Sequence, residues 1–173
     1  AQSVHTQLMQ QTATFAYGEA EDAQIISLPY VGDDLFMLLL LPQERDGLAA
    51  LEESLNATHL AWWADSLRPR TVDIFLPRFK ITFPFRLDNT LQAMIMTDAK
   101  GLFIGAIIHK AFVEVNEEGT EAAAATAVVM AKSIPPPRPV FRADHPLLFI
   151  LRENSTGAIL FLGRVANPMA GEA

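Results

Sequence analysis

The chain contains no cysteine, which excludes a disulfide scaffold, a thiolate nucleophile and every cysteine-ligated zinc or iron-sulfur site. Charge is also sparse, at 19% of residues, and unbalanced: 13 Lys and Arg against 20 Asp and Glu give a net −7, so bulk charge excludes a nucleic-acid partner. Long apolar runs are missing as well. The strongest, Leu35 to Leu41, ends at Pro42 after seven residues, far short of the roughly 20 that a membrane span needs, so no membrane partner is expected. Ala1-Gln2-Ser3-Val4-His5 has neither the basic start nor the apolar stretch of a signal peptide. No fixed-period repeat or charge block appears, which argues against a solenoid or a solvated tail.

What is present is a globular composition, with 50% hydrophobic residues in 173. A single compact domain of this length would bury roughly 70% of the surface its unfolded chain exposes. The local patterns predict a mixed α+β fold. Ile25–Leu28 and Leu35–Leu41 read as a hairpin turning through Gly32-Asp33. Leu48, Leu51 and Leu55 share one helical face. A second helix, capped by Thr58, stacks Leu60, Trp63 and Leu67, places Trp62 on a neighbouring face and stops at Arg68-Pro69. Both tryptophans are expected in the core rather than on a ligand platform.

Val72, Ile74, Leu76, then Phe79, Ile81 and Phe83 alternate as one long strand bent at Pro77. Asp88 caps a predicted helix carrying Leu91, Met94 and Ile95, and strands are expected over Leu102–Ile108 and Ala111–Val115. Leu147–Leu151 and Ala158–Leu162 form a predicted buried hairpin around Arg152–Gly157.

Between these strands, Asn116 to Pro137 resists local rules. Alanine content favours a helix over Glu121–Lys132. Yet the stretch has no periodic large apolar groups with which a helix could dock. Small side chains tolerate either conformation, so one segment could be a loop in one state and a central strand in another. Pro135-Pro136-Pro137 closes it in an extended form.

Phe112-Val113-Glu114-Val115-Asn116 followed by Glu117-Glu118-Gly119-Thr120-Glu121-Ala122-Ala123-Ala124-Ala125-Thr126 resembles the hinge of the serpins. Phe141-Arg142-Ala143-Asp144-His145-Pro146 resembles the family signature after the reactive loop, and Phe161-Leu162-Gly163-Arg164-Val165 with Asn167-Pro168 continues the likeness. Upstream, Leu28-Pro29-Tyr30, Leu76-Pro77-Arg78-Phe79 and Met96-Thr97-Asp98-Ala99 follow in the same order. The resemblance implies a serpin-like α+β fold of mostly antiparallel sheets with a few short helices and an extended reactive loop, about residues 117–140. It spans residues 1–173 as one partial domain, the C-terminal half, with the helical N-terminal half missing. A loop and short helix usual in the family between Ala99 and Leu102 are absent, and Leu147 stands where Phe is usual.

The function the resemblance implies is that of a serine-protease inhibitor, not an enzyme and without a cofactor. A protease cleaves the bait loop, becomes acyl-linked to it, and is carried away as the loop inserts as a β-strand. Glu117, Glu118, Gly119 and Thr120 must let the backbone turn into the sheet, and Thr120 to Thr126 must be slim enough to slot between strands. Counting from Gly119 places the cut after Ser133, whereas the Ser133-Ile134-Pro135 pattern places it after Lys132; Lys132–Ser133 is preferred. Lys132 suits a trypsin-like serine protease whose specificity pocket carries a carboxylate. Without its other half the bait is expected to be cut as a substrate.

The alternatives are a noninhibitory fragment that uses exposed strand edges to bind an N-terminal serpin half or another copy of itself, and a truncated product without function. Family members suggest an extracellular setting. His5, His59, His109 and His145 show no metal-ligand spacing and read as structural. Ser133 has no nucleophile elbow around it, and the sequons Asn56-Ala57-Thr58 and Asn154-Ser155-Thr156 read as incidental.

Overall fold

A computed structural model describes residues 4–86, 108–115 and 137–171. The strands are β1 (Leu8–Glu19), β2 (Ala23–Pro29), β3 (Leu35–Pro42), β4 (Arg68–Pro77), β5 (Phe79–Arg86), β6 (Ile108–Val115), β7 (Val140–Arg142), β8 (Leu147–Glu153) and β9 (Ile159–Val165). The helices are α1 (Leu48–Ser54) and α2 (Ala57–Ser66), and a 3-10 turn covers Pro168–Gly171. Seven strands form one sheet in the order β7-β4-β1-β2-β3-β8-β9, and β5 pairs with β6 in a second sheet. All pairs are antiparallel except β4 with β7.

The expected hairpin forms from β2 and β3, with Ser27 opposite Leu38. Its turn bends because Gly32 and Asp33 both take positive φ, +94° and +57°, which a glycine followed by an aspartate tolerates better than most pairs. The turn is also held from outside: Asn154 donates its side-chain amide to Asp33 O and its backbone N–H to Asp34 O at 2.8 Å.

Continuous apolar sequence in β3 reflects burial on both faces. Leu38 and Leu40 point to a cluster with Ile25, Leu148, Ile150, Leu51, Leu60 and Trp63 beneath the helices. Met37, Leu39 and Leu41 point to the larger opposite cluster around Phe15, Tyr17, Phe141 and Phe149. Each fully buried leucine or phenylalanine there contributes about 1.5–3 kcal/mol relative to exposure. The small sheet docks on this larger cluster through its near end, where Phe79 pairs with Val115 and stacks obliquely on Phe149 at 5.9 Å.

Several expectations are corrected. The second helix is capped by Asn56, not Thr58: Asn56 is extended, its Oδ1 accepts from His59 N at 2.9 Å, and Thr58 falls inside the first turn. Trp63 is buried, but Trp62 is 59% exposed, because the helix meets the sheet with one face and the next residue is rotated by about 100°. The stretch around Pro77 is two strands in different sheets rather than one bent strand. The C-terminal hairpin is buried only in β8; β9 lies at the sheet border with Ile159, Leu160 and Leu162 about half exposed. The predicted helix from Asp88 and the strand residues 102–107 lie outside the described residues.

Candidate functional site

The described residues give the two mooring points of the segment from Asn116 to Pro136. Upstream is β6, ending at Val115; downstream is β7, beginning at Val140. They belong to different sheets, so the intervening chain passes from the small sheet to the border of the large one.

The upstream mooring sits over an opening in the large sheet. β1 pairs with β4 from Leu8 to Tyr17, but with β2 only from Ala16 to Glu19. The first half of β1 therefore leaves β2, and a cleft opens between Met9, Gln10, Gln11, Leu28, Ile74 and Leu76, with Val115 on its wall. Among the described residues β6 has one neighbour, β5, so its other edge is where a further strand would hydrogen-bond.

The downstream mooring is short and firmly pinned. Asp73 N donates to Pro139 O at 3.0 Å and Ala143 N to Phe75 O at 2.8 Å, setting β7 parallel to β4. Phe141 is wholly buried in the larger cluster, and the Arg142 guanidinium lies 5.0 Å over the Phe75 ring. The chain then turns at a charged corner. Arg45 donates to Asp144 Oδ2 at 2.8 Å, the Arg142 Nε lies 3.5 Å from the same oxygen, and His145 Nδ1 is 2.9 Å from Oδ1.

The hydrogen bond from His145, assisted by Arg45 and Arg142 and opposed by burial, holds the Asp144 carboxyl below its ordinary range. His145 Nε2 lies 2.8 Å from Pro42 O. A carbonyl only accepts, so this nitrogen donates, and the ring ties the end of β3 to the entry of β8.

Every residue expected to act directly, the hinge Glu117, Glu118, Gly119, Thr120, Glu121, Ala122, Ala123, Ala124, Ala125 and Thr126 and the reactive bond Lys132–Ser133, lies outside the described residues. What the structure brings together instead is the corner of Arg45, Arg142, Asp144 and His145. Spacing could not reveal it, since Arg45 is 99 residues from Asp144. Among the described residues no three His, Asp or Glu side chains gather as a metal site. Both sequon asparagines are occupied structurally: Asn56 caps α2 and also donates to Ser54 O, and Asn154 braces the β2–β3 turn.

Residues 1–168 match the family model described as Serpin (serine protease inhibitor). Serpin B3 of Homo sapiens is 43% identical over 94% of this chain and 46% of its own length. Antithrombin-III of Homo sapiens is 40% identical over 96% of this chain and 40% of its own length. The crystal structure of uncleaved ovalbumin superposes with a TM-score of 0.78 at 34% identity, covering 94% of this chain and 48% of that one. The chain thus spans somewhat under half the length of the relatives it matches. By fold, by family model and by sequence likeness, this chain belongs to the serpin family.

Proposed function

We propose that the chain carries the bait segment, and one edge of the receiving sheet, of a serine-protease inhibitor. The observation that carries this reading is the mooring of the segment's two ends in separate sheets, β6 on one side and β7 on the other. A span moored in this way would offer its middle to a protease, with the open edge of β6 at its upstream end.

A reversal at Asn116 to Gly119 would lay Thr120 to Ala127 antiparallel to the eight residues of β6, Thr120 opposite Val115 and Ala127 opposite Ile108. Gly119 supplies the backbone freedom such a reversal requires, and the run of alanines fits a crowded interior strand. The protease serine attacks the Lys132 carbonyl, the Ser133 amine leaves, and the released strand takes its place on β6. Serpin B3 and antithrombin-III are more than twice as long as the stretch they share with this chain, and a strand inserted into a sheet needs a ladder on each side. Among the described residues β6 is the one ladder on offer, so the 173-residue chain is expected to be turned over as a substrate.

The test is digestion by trypsin followed on a denaturing gel and by mass spectrometry. The first cut is expected between Lys132 and Ser133, with no covalent complex, and Lys132→Ala removes it. A first cut elsewhere that leaves Lys132–Ser133 intact refutes the bait assignment. The noninhibitory reading, a fragment that associates through strand edges, draws its support from the exposed apolar side chains of β9.

A further inference from the structure

We infer that His145 stands as an imidazolium, protonated on both ring nitrogens, and that it forms a pH-sensitive strap from the turn between β7 and β8 to the end of β3. The strap is made wholly of contacts among the described residues and is independent of the bait assignment. Its position shows what it replaces. The β3–β8 ladder runs as far as Leu40 opposite Leu148. Two residues further, the same register sets Pro42 opposite Pro146, which has no N–H to donate. His145 Nε2, 2.8 Å from Pro42 O, supplies the donor that the backbone lacks there. The end of this ladder is therefore closed by a side chain that titrates.

Both ring nitrogens face acceptors. Nδ1 lies 2.9 Å from Asp144 Oδ1 and Nε2 2.8 Å from Pro42 O. A carbonyl oxygen only accepts, and so does an ionised carboxylate. A neutral imidazole has one N–H: on Nε2 it leaves a bare Nδ1 against the carboxylate, and on Nδ1 it leaves a bare Nε2 against the carbonyl. Turning the ring over would set carbons at both places. Water is a poor substitute for either partner, because the side chain is 11% exposed. The doubly protonated ring alone bonds to both neighbours.

Moving one proton to Asp144 instead is opposed by two guanidiniums. Arg45, from the loop after β3, and Arg142, at the end of β7, reach Asp144 Oδ2 at 2.8 and 3.5 Å. The carboxylate thus divides its oxygens, Oδ2 to the arginines and Oδ1 to the ring. Both arginines oppose a further positive charge, but they meet the oxygen that the ring does not use. Glu44 and Asp46 flank Arg45 in the same exposed loop, and their charge favours a positive ring. From β3 Pro42 presents a carbonyl, and from β8 the neighbouring Leu147 is apolar and buried.

The sign of the pH effect follows. In the unfolded chain nothing holds the second proton, and an ordinary imidazole releases it near pH 6.5. The strap contributes fully below that pH and is lost as the pH rises and the folded ring gives a proton up, since the neutral ring keeps one bond of the two.

The test is urea denaturation of the 173-residue chain between pH 6 and pH 8.5. The folding equilibrium constant should fall roughly tenfold across this range, the worth of one hydrogen bond to a charged group. His145→Gln has no proton to lose, and Asp144→Asn keeps the ring but offers a bare Nδ1 an amide donor. Each should flatten the fall to under about twofold, while His59→Gln on α2 leaves it unchanged. Nitrogen-15 spectra of the ring, assigned in the parent itself, give a readout that needs no variant to fold: at pH 7 both nitrogens of His145 should carry hydrogen. A bare ring nitrogen at pH 7 overturns the proposal, as does a stability that is level with pH, or a fall that persists in full in His145→Gln or Asp144→Asn.

Discussion

Replacing Phe141 by alanine should detach β7, and with it the downstream mooring of the proposed bait, without unfolding the rest of the chain. Several contacts hold this three-residue strand. Its backbone bonds to β4, among them Asp73 N to Pro139 O and Ala143 N to Phe75 O beside the ladder itself, contribute about 0.5–1.5 kcal/mol each. The Arg142 guanidinium over Phe75 is worth about 0.5–1 kcal/mol at a partly exposed site. Phe141, with no exposed surface, accounts for about 3–5 kcal/mol when truncated, the largest single contribution.

Among the described residues the strand has one neighbour, β4, so it can leave while the six strands beyond it stay paired. Losing the phenyl ring should raise the population of detached strand by roughly two to nearly four orders of magnitude. Tryptic cleavage after Arg142, followed by mass spectrometry, reports this directly. The cut should accelerate by a large factor in Phe141→Ala and little in Val140→Ala, whose side chain is already 45% exposed. Unchanged cleavage after Arg142 refutes the reasoning. So does equal acceleration at arginines throughout the chain, which would mean that the strand cannot part from the sheet on its own.

Asn56→Ala removes the acceptor for His59 N and should lower stability by about 1 kcal/mol in urea denaturation, whereas Thr58→Ala should change it by a few tenths at most. The depressed Asp144 carboxyl makes a pH prediction with a definite sign. Its contribution is complete above the ordinary carboxylate range and is lost as the pH falls through the lower folded value, below about pH 4. Thermal melts of Asp144→Asn should therefore lose about 1 kcal/mol or less at neutral pH and show a shallower acid limb than the parent. Gly157→Ala should be costly because the residue takes a φ of +71°, which a side chain with a Cβ rarely adopts, and a clear fall in the urea midpoint is the expected readout.

Elements whose burial is carried by their own pattern were legible in the sequence. The β2–β3 hairpin announced itself through unbroken apolar runs and a Gly-Asp turn, and the helical faces through Leu51, Leu60 and Trp63. β1 gave no such sign. Its polar residues Gln10, Gln11, Thr12 and Thr14 alternate weakly, and it is a strand because β4 pairs along ten of its positions. The break at Pro77 was visible, but whether the chain bends or changes sheet depends on β6, a partner distant in sequence. Asn56 and Thr58 are both good caps by residue type, and it is Asn56 that is extended and accepts from His59 N.

The exposure of β9 could not be read from Ile159-Leu160-Phe161-Leu162, because a strand that is apolar on both sides looks the same whether or not anything covers it. The proposed bait rests on family resemblance alone, and its residues lie outside those described.

The strand order has a consequence for synthesis. The last stretch of chain, from Val140 to Val165, supplies β7 at one border of the large sheet and both β8 and β9 at the other. Until the ribosome has delivered it, β4, β1, β2 and β3 can assemble in order, but β3 presents its backbone edge and the leucines from Leu38 to Leu41 to solvent. During translation β3 therefore waits for β8, and its pairing rests on contacts more than a hundred residues apart in sequence. A ribosome stalled before Leu147 should accordingly hold a chain that recruits chaperones more strongly than one stalled well beyond Val165.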